Sequence, residues 1–133
     1  MKTSDEITTD IYRYIKQSAL ASAVTGKIIN GKDRTPNSTK EDVTVKMLAN
    51  NLGQRQGAYI NVNIFVPDTI RSGQYEKDDS RVPLLERTAM DVFEKPIHIE
   101  GARIVLDSQL TFASENGKEH IINNKLLYHI INE

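Results

Sequence analysis

Three histidines, His98, His120 and His129, are the side chains best suited to ligate a metal or shuttle a proton in this 133-residue chain, which has no cysteine. Two imidazoles aimed at one ion from a single element need i, i+4 spacing on a helix or i, i+2 on a strand, and no pair of these has either. They read as surface or strand-face residues. Pro67-Asp68 could open the divided carboxylate motif of metal-dependent nucleases, in which a later Glu-x-Lys or Asp-x-Lys completes the metal site and polarises water. No such triplet occurs, and neither does a Gly-rich phosphate loop or a Gly-x-Ser-x-Gly elbow. Without a thiol there is no cysteine nucleophile, thiolate metal site or disulfide. The expectation is a protein with no catalytic residues, no metal and no cofactor.

What the chain does offer is a surface. In "AYINVNIFVPD", Ala58 to Asp68, Ala58, Ile60, Val62, Ile64 and Val66 alternate with Tyr59, Asn61, Asn63 and Phe65. This is a strand with one greasy face and one face of amides bracketed by aromatics. A helix can bury the first face. The second, Tyr59, Asn61, Asn63 and Phe65, suits a subunit interface in which aromatics supply area and amides supply register; a solvated face with scattered aromatics is the plain alternative.

The elements that must position this strand follow from periodicity. Thr3 and Glu6 form a capping box ahead of Ile7, Ile11, Tyr14 and Ile15, which predicts a helix from about Thr3 to Ala23. Lys27 to Ile29 makes a short strand ending at Asn30-Gly31, and Asn30 to Lys40 is a polar, aperiodic, flexible loop containing Pro36. Ser38 and Glu41 imitate another capping box, but Val43, Val45 and Met47 recur at period two, so Glu41 to Ala49 is a strand. It pairs antiparallel with Gln56 to Val66 through "NNLGQRQG". Thr69 to Asp79 is a second flexible loop. Ser80 caps a second helix reaching Lys95, with Leu84, Leu85, Thr88, Ala89, Val92 and Phe93 on one face. Ile104, Leu106, Ser108, Leu110 and Phe112 then alternate, and Asn116-Gly117 signals a hairpin. For residues 120–131 helix and strand both fit; the hairpin signal and the isoleucines favour strand. The fold class is therefore α+β: one domain over 1–133, order α-β-β-β-α-β-β, with a mainly antiparallel sheet of about five strands and two helices on one face.

Charge narrows the partners. Seventeen basic and 18 acidic residues give a net charge of −1, without the basic excess of a phosphate-binding domain. The α-β-β-β-α order also suits a double-stranded-RNA-binding domain, but "EKDDSRVPLLER" at the start of the second helix would repel phosphate. Positive charge gathers around the first loop, in Lys27, Lys32, Arg34 and Lys40, broken by Asp33. In the second loop Glu76, Asp78 and Asp79 outnumber Lys77. These loops are read as assembly loops that meet across a subunit boundary or reach other proteins, unless they are simply solvated. No stretch approaches the roughly 18 apolar residues of a membrane span, and "MKTSDEITTD" has no apolar leader core, so a soluble, unexported protein is expected. Asn37-Ser38-Thr39 matches a glycosylation site and reads as a chance match in a polar loop.

Taken together, "ALASAVTGKII" closing the first helix, the strand "AYINVNIFVPD", the helix "LLERTAMDVFE" and the closing "LDSQLTFASENGKEHIINNKLLYHIINE" resemble the tail-completion or tail-component proteins of tailed bacteriophages. The resemblance is one of layout over nearly the whole chain, and the long loop Asn30 to Lys40 departs from it. It implies a structural subunit of a phage or prophage tail, in a ring such as a hexamer at the head-proximal end. Its partners would be copies of itself and tail-tube or head-connector proteins, with DNA met only incidentally in a ring lumen. Its place would be the bacterial cytoplasm during assembly and then the virion tail. The reading from another class is a small α+β adaptor that binds a protein or nucleic acid through its open sheet face.

The core expectation is the most directly testable. Ile60, Val62 and Ile64 should be buried with Ile11, Ile15, Leu85 and Val92, so Val62→Asp should cost roughly 5 kcal/mol or more by burying an unpaired charge. A Val62→Asp protein that remains soluble and melts cooperatively would remove this strand from the core.

Overall fold

The computed structural model describes residues 1–53, 55–99 and 101–131, so Gln54 of the expected connection and residues 132–133 of the closing segment lie outside it. Helix α1 (Ser4–Lys16) begins with the expected capping box: the Thr3 hydroxyl accepts from the Glu6 amide while the Glu6 carboxylate accepts from the Thr3 amide. It does not run on to Ala23. Ser18 is extended, donates its hydroxyl to the Ile15 carbonyl and accepts from the Leu20 amide, so one serine closes α1 and opens the short α2 (Ala19–Ala23).

The strands are β1 (Ile28–Asn30), β2 (Val43–Asn51), β3 (Arg55–Pro67), β4 (Thr69–Arg71), β5 (Gln74–Glu76), β6 (Ile97–Ile99), β7 (Ala102–Ala113) and β8 (Glu119–Ile131), with α3 (Arg81–Phe93) between β5 and β6. Six form one sheet in the order β1-β2-β3-β8-β7-β6, with β1 and β2 parallel and every other pair antiparallel. The class is α+β with a mostly antiparallel sheet. The main sheet has six strands where periodicity predicts about five: the additional β6, after Pro96, is too short to show a period. Residues 120–131 are strand, as the hairpin signal implied.

One face of the sheet is closed. Ile60, Val62 and Ile64 are fully buried in a core that also holds Ile11, Ile15 and Leu85, with Val92 partly buried against it. Helix α1 lies on β1 and β2, α3 touches β3, β7 and β8, and α2 meets both helices. Under α3 the core contains a satisfied polar chain. Asn124 donates to the Val62 carbonyl and accepts from Gln109, which also donates to the Glu86 carbonyl, while Thr111 donates to the Glu86 carboxylate.

Two expected loops are more structured than their composition suggests. Thr69 to Asp79 contains the β4–β5 hairpin, which turns at Ser72 and Gly73, both at positive φ. Asp78, not Ser80, caps α3: its carboxylate accepts from the amides of Ser80 and Arg81 and from the Ser80 hydroxyl. Burial pushes that carboxyl up, but these hydrogen bonds outweigh it and hold it below the ordinary carboxylate range. The strand expected from Glu41 starts at Val43 instead, because Glu41 and Asp42 are occupied as acceptors. The Gly26 amide donates to the Glu41 carbonyl, Thr25 to the Glu41 carboxylate and Lys27 to the Asp42 carboxylate. A Cβ on Gly26 would stand 2.6 Å from the Glu41 carbonyl oxygen, inside contact distance of rigid backbone. Gly26→Ala should therefore cost about 1–3 kcal/mol, read as a lower urea midpoint with an unchanged m-value.

Candidate interaction face

Register places the second face of β3 at the middle of the sheet face that no helix covers. From one end to the other its rows are Phe65–Ile121–Phe112, Asn63–Asn123–Leu110, Asn61–Lys125–Ser108 and Tyr59–Leu127–Val105. On β2, Thr44 stands beside Asn63 and Lys46 beside Asn61. Apolar rows thus flank a polar band. The band is internally bonded: Asn123 donates one amide proton to Asn61 and one to Asn63, at 3.1 and 2.7 Å. The Lys125 ammonium lies 4.6 Å from the Tyr59 ring centroid and 3.9 Å from Asp107. Tyr59, Asn61, Asn63 and Phe65, grouped by period alone, do share this face, and each is half-buried by its neighbours.

The apolar residues most open to solvent here come from β7, where the expected single face does not exist. Ile104 and Leu106 stand opposite Tyr128 and Leu126, on the core side. A bulge at Asp107 then shifts the register, so Ser108, Leu110 and Phe112 turn outward and Gln109 and Thr111 turn under α3. Leu110 and Phe112 are left 64% and 43% exposed.

At the Phe65 end the chain covers its own sheet. Arg34, expected as a free loop charge, is folded inward. Its guanidinium stacks 4.1 Å from the Phe65 ring centroid, donates to Asp42 at 3.2 Å and to Glu119 at 2.9 Å, and reaches the carbonyls of Ser38 and Lys40. Asp33 adds an ion pair to Lys46. Asn30 to Lys40 is thereby latched over the sheet, and Thr44 beneath it is only 3% exposed. Phe65 thus serves this latch. Two acids with one guanidinium between them explain why the loop is held although its sequence looks featureless; the fold, not the local sequence, brings Glu119 to it.

The remaining loop charges are placed less specifically. Lys32 and Lys40 point to solvent, Glu76 lies on exposed β5, and Lys77 and Asp79 form a loose pair at 3.7 Å. Asp78 belongs to the helix cap and is not free to meet another chain. His98 is exposed and His120 bonds Asp68 at 2.7 Å. His129 lies beside Gly57 and Arg103. No group of three or more His, Cys, Asp or Glu side chains that could hold a metal occurs among the described residues, and no helix there is long and apolar enough to cross a membrane. A cluster that composition could not reveal ties the N-terminal segment down: Lys2 donates to Asp10 and Tyr128, and Tyr128 donates to Asp10. Burial, with help from Asp10, pushes the Tyr128 hydroxyl up to about 12.

No protein-family model matches the chain, and no curated protein sequence matches it.

The Arg34 latch has a measurable energy. Arg34→Met would leave Asp42 and Glu119, 4% and 6% exposed, without a countercharge, and should cost about 3–5 kcal/mol in chemical denaturation. Burial pushes the Asp42 carboxyl up, but the Ser38 hydroxyl, the Lys27 amide and Arg34 outweigh it and hold it below its ordinary value. The unfolded chain therefore takes up this proton first. The contribution is complete above about pH 4 and is lost as pH falls through the lower folded value. Melting temperature should fall with acid below pH 4 in the parent chain, and less steeply in Arg34→Met.

Proposed function

We propose that this chain is a non-enzymatic structural subunit of a phage or prophage tail, forming or joining a ring at the head-proximal end in tail completion or head-tail joining. Two independent features support the reading. The layout of helix, long strand, second helix and closing hairpin resembles the tail-completion proteins. The observation that carries it physically is the uncovered sheet face, where apolar rows flank a bonded asparagine band and β7 turns Leu110 and Phe112 outward. Exposed apolar groups set beside a fixed polar pattern are the composition of a protein interface, with apolar area for affinity and amides for register. Small-molecule chemistry is less well served. Such a site gathers a few convergent polar groups in an enclosed pocket, whereas this surface is broad and covered only at its Phe65 end.

In this reading the chain works by shape. Copies associate laterally, close around the tail end and present a surface to tube or connector proteins, with virion tail as the destination and cytoplasm as the place of assembly.

Replacing Asn61 and Asn63 together by lysine tests the reading. The double variant should keep its cooperative melt, since both side chains are only half-buried, yet it should reduce tail joining at least tenfold when it complements a prophage lacking its own copy, because like charges repeat around a ring. Full complementation would mean that this face is merely solvated, and capture of an unrelated partner by a monomeric chain would turn the reading to an adaptor.

A further inference from the structure

Two features of the chain have opposite shapes and are each unfinished alone. The first is the β4–β5 hairpin. All six of its strand residues are exposed, and a two-stranded hairpin is at best marginal in water unless something lies against it. It nonetheless carries a directly opposed apolar pair, Ile70 and Tyr75, 66% and 46% exposed. Its turn places Ser72 at φ 50° and Gly73 at φ 77°. The two positive-φ residues suit the twist of a tight hairpin, so the arm is held in shape although a serine must enter the left-handed region.

The second feature is the outward pair Leu110 and Phe112. The bulge at Asp107 is what exposes it, and at that bulge the chain places polar Gln109 and Thr111 under α3 while turning the two apolar side chains to water. Uninterrupted alternation from Ile104 and Leu106 would have buried Leu110 and Phe112 instead. A bulge that re-aims side chains against the hydrophobic preference is a device for a surface. Successive outward residues on a strand stand about 7 Å apart and opposed residues of a hairpin about 5 Å apart, so each pair forms one compact apolar spot of side-chain size.

Charge agrees with shape. Arg71 flanks Ile70 on the arm, is exposed and has no ion-pair partner among the described residues. Asp107, which lies 3.9 Å from Lys125, and Glu115 are both exposed and stand on either side of Leu110 and Phe112 along the chain. Within one chain Ile70 and Tyr75 line a groove of about 640 Å³ with Ser38, Asp68, Lys118 and Glu119, and neither Leu110 nor Phe112 lines it.

We propose that the β4–β5 arm of one copy docks on the Leu110–Phe112 patch of a second copy, with Ile70 and Tyr75 against the apolar pair and Arg71 beside Asp107 or Glu115. The inference rests on the tail-subunit reading and names the two halves of its lateral contact. Arm and patch are different surfaces, so the contact is head-to-tail, and repetition closes a ring or, failing closure, extends a filament. Each copy supplies one arm and one patch.

Because the chain has no cysteine, disulfide trapping reads this contact without background. A Tyr75→Cys chain and a Phe112→Cys chain, mixed in equal amounts under mild oxidation, should form the mixed disulfide at least tenfold over either homodimer; Ile70→Cys with Leu110→Cys is the second pair. All four positions are exposed, and unchanged melting curves confirm that the variants fold. A statistical mixture from both pairs overturns the proposal. So does preferential linking of two Phe112→Cys chains, which would mean sheets stacked face to face, and so does an intrachain disulfide in the Tyr75→Cys, Phe112→Cys double variant, which would mean that the arm lies on its own sheet. The tail reading fails separately. A mixed disulfide from chains that never complement tail joining sustains the contact and removes the tail setting, and complementing chains without it sustain the setting and remove the contact.

Discussion

The pairing of β3 with β8 is the constraint on which the rest of the molecule depends. Arg55 to Pro67 runs opposite Ile131 to Glu119 residue by residue, and side chains alternate between the faces, so the pairing decides at once what is core and what is surface. A slip of one residue would send Val62 and Ile64 outward and Asn61 and Asn63 under the helices. The helices resist that slip because Ile7, Ile11, Ile15, Leu85 and Phe93 require an apolar face to lie on. Three short helices close one face and leave none for the other. The open face is thus a consequence of how the core is made.

Around this sheet, a few buried ions attach the irregular segments. Glu41 and Asp42 sit side by side before β2 and are served from opposite directions. Arg81 at the start of α3 meets Glu41 through two nitrogens at 2.7 Å and also reaches the Ala23 carbonyl, while Arg34 meets Asp42 and Glu119. Paired acids of this kind give little net stability when intact, since desolvation offsets attraction, but they penalise any arrangement that separates them. Their contribution is to position. They hold α2, α3 and the 31–40 loop in one arrangement relative to the sheet.

Much of this was legible in the sequence, and the failures have physical causes. The alternation of Ala58 to Val66 identified β3 and its buried face correctly because both faces are long and chemically distinct. The break at Ser18 leaves no mark in the sequence because serine serves equally as a weak helix interior residue and as a cap, and only its hydrogen bonds decide between them. The β4–β5 hairpin leaves none because three-residue strands carry no period. The β7 face differs from its alternation because a bulge adds one residue without any change in composition, so Ile104 and Leu110 look equivalent when they lie on opposite sides. In the candidate face the grouping of Tyr59, Asn61, Asn63 and Phe65 was right. Two facts were out of reach: the self-covering by Arg34, which depends on Glu119 some 85 residues later, and the donation from Asn123, 62 and 60 residues away.

The sheet's edges limit how copies of such a chain can join. Both outer strands, Ile28–Asn30 and Ile97–Ile99, have only three residues, and short edge strands offer too few unpaired amides and carbonyls to template a continuous sheet between molecules. Strand addition along those short strands is therefore disfavoured, and β3 and β8 are enclosed on both sides, but the rest of β2 and β7, Lys46–Asn51 and Val105–Ala113, has no strand on its outer side among the described residues. Beside those two stretches of edge, the side-chain surface open to association is the sheet face without helices and the projecting hairpin. A contact made through side chains can be specific in angle, whereas sheet continuation fixes only spacing and twist. An assembly that must close at a definite number of subunits needs a fixed angle, and a side-chain face supplies one where an open strand edge does not.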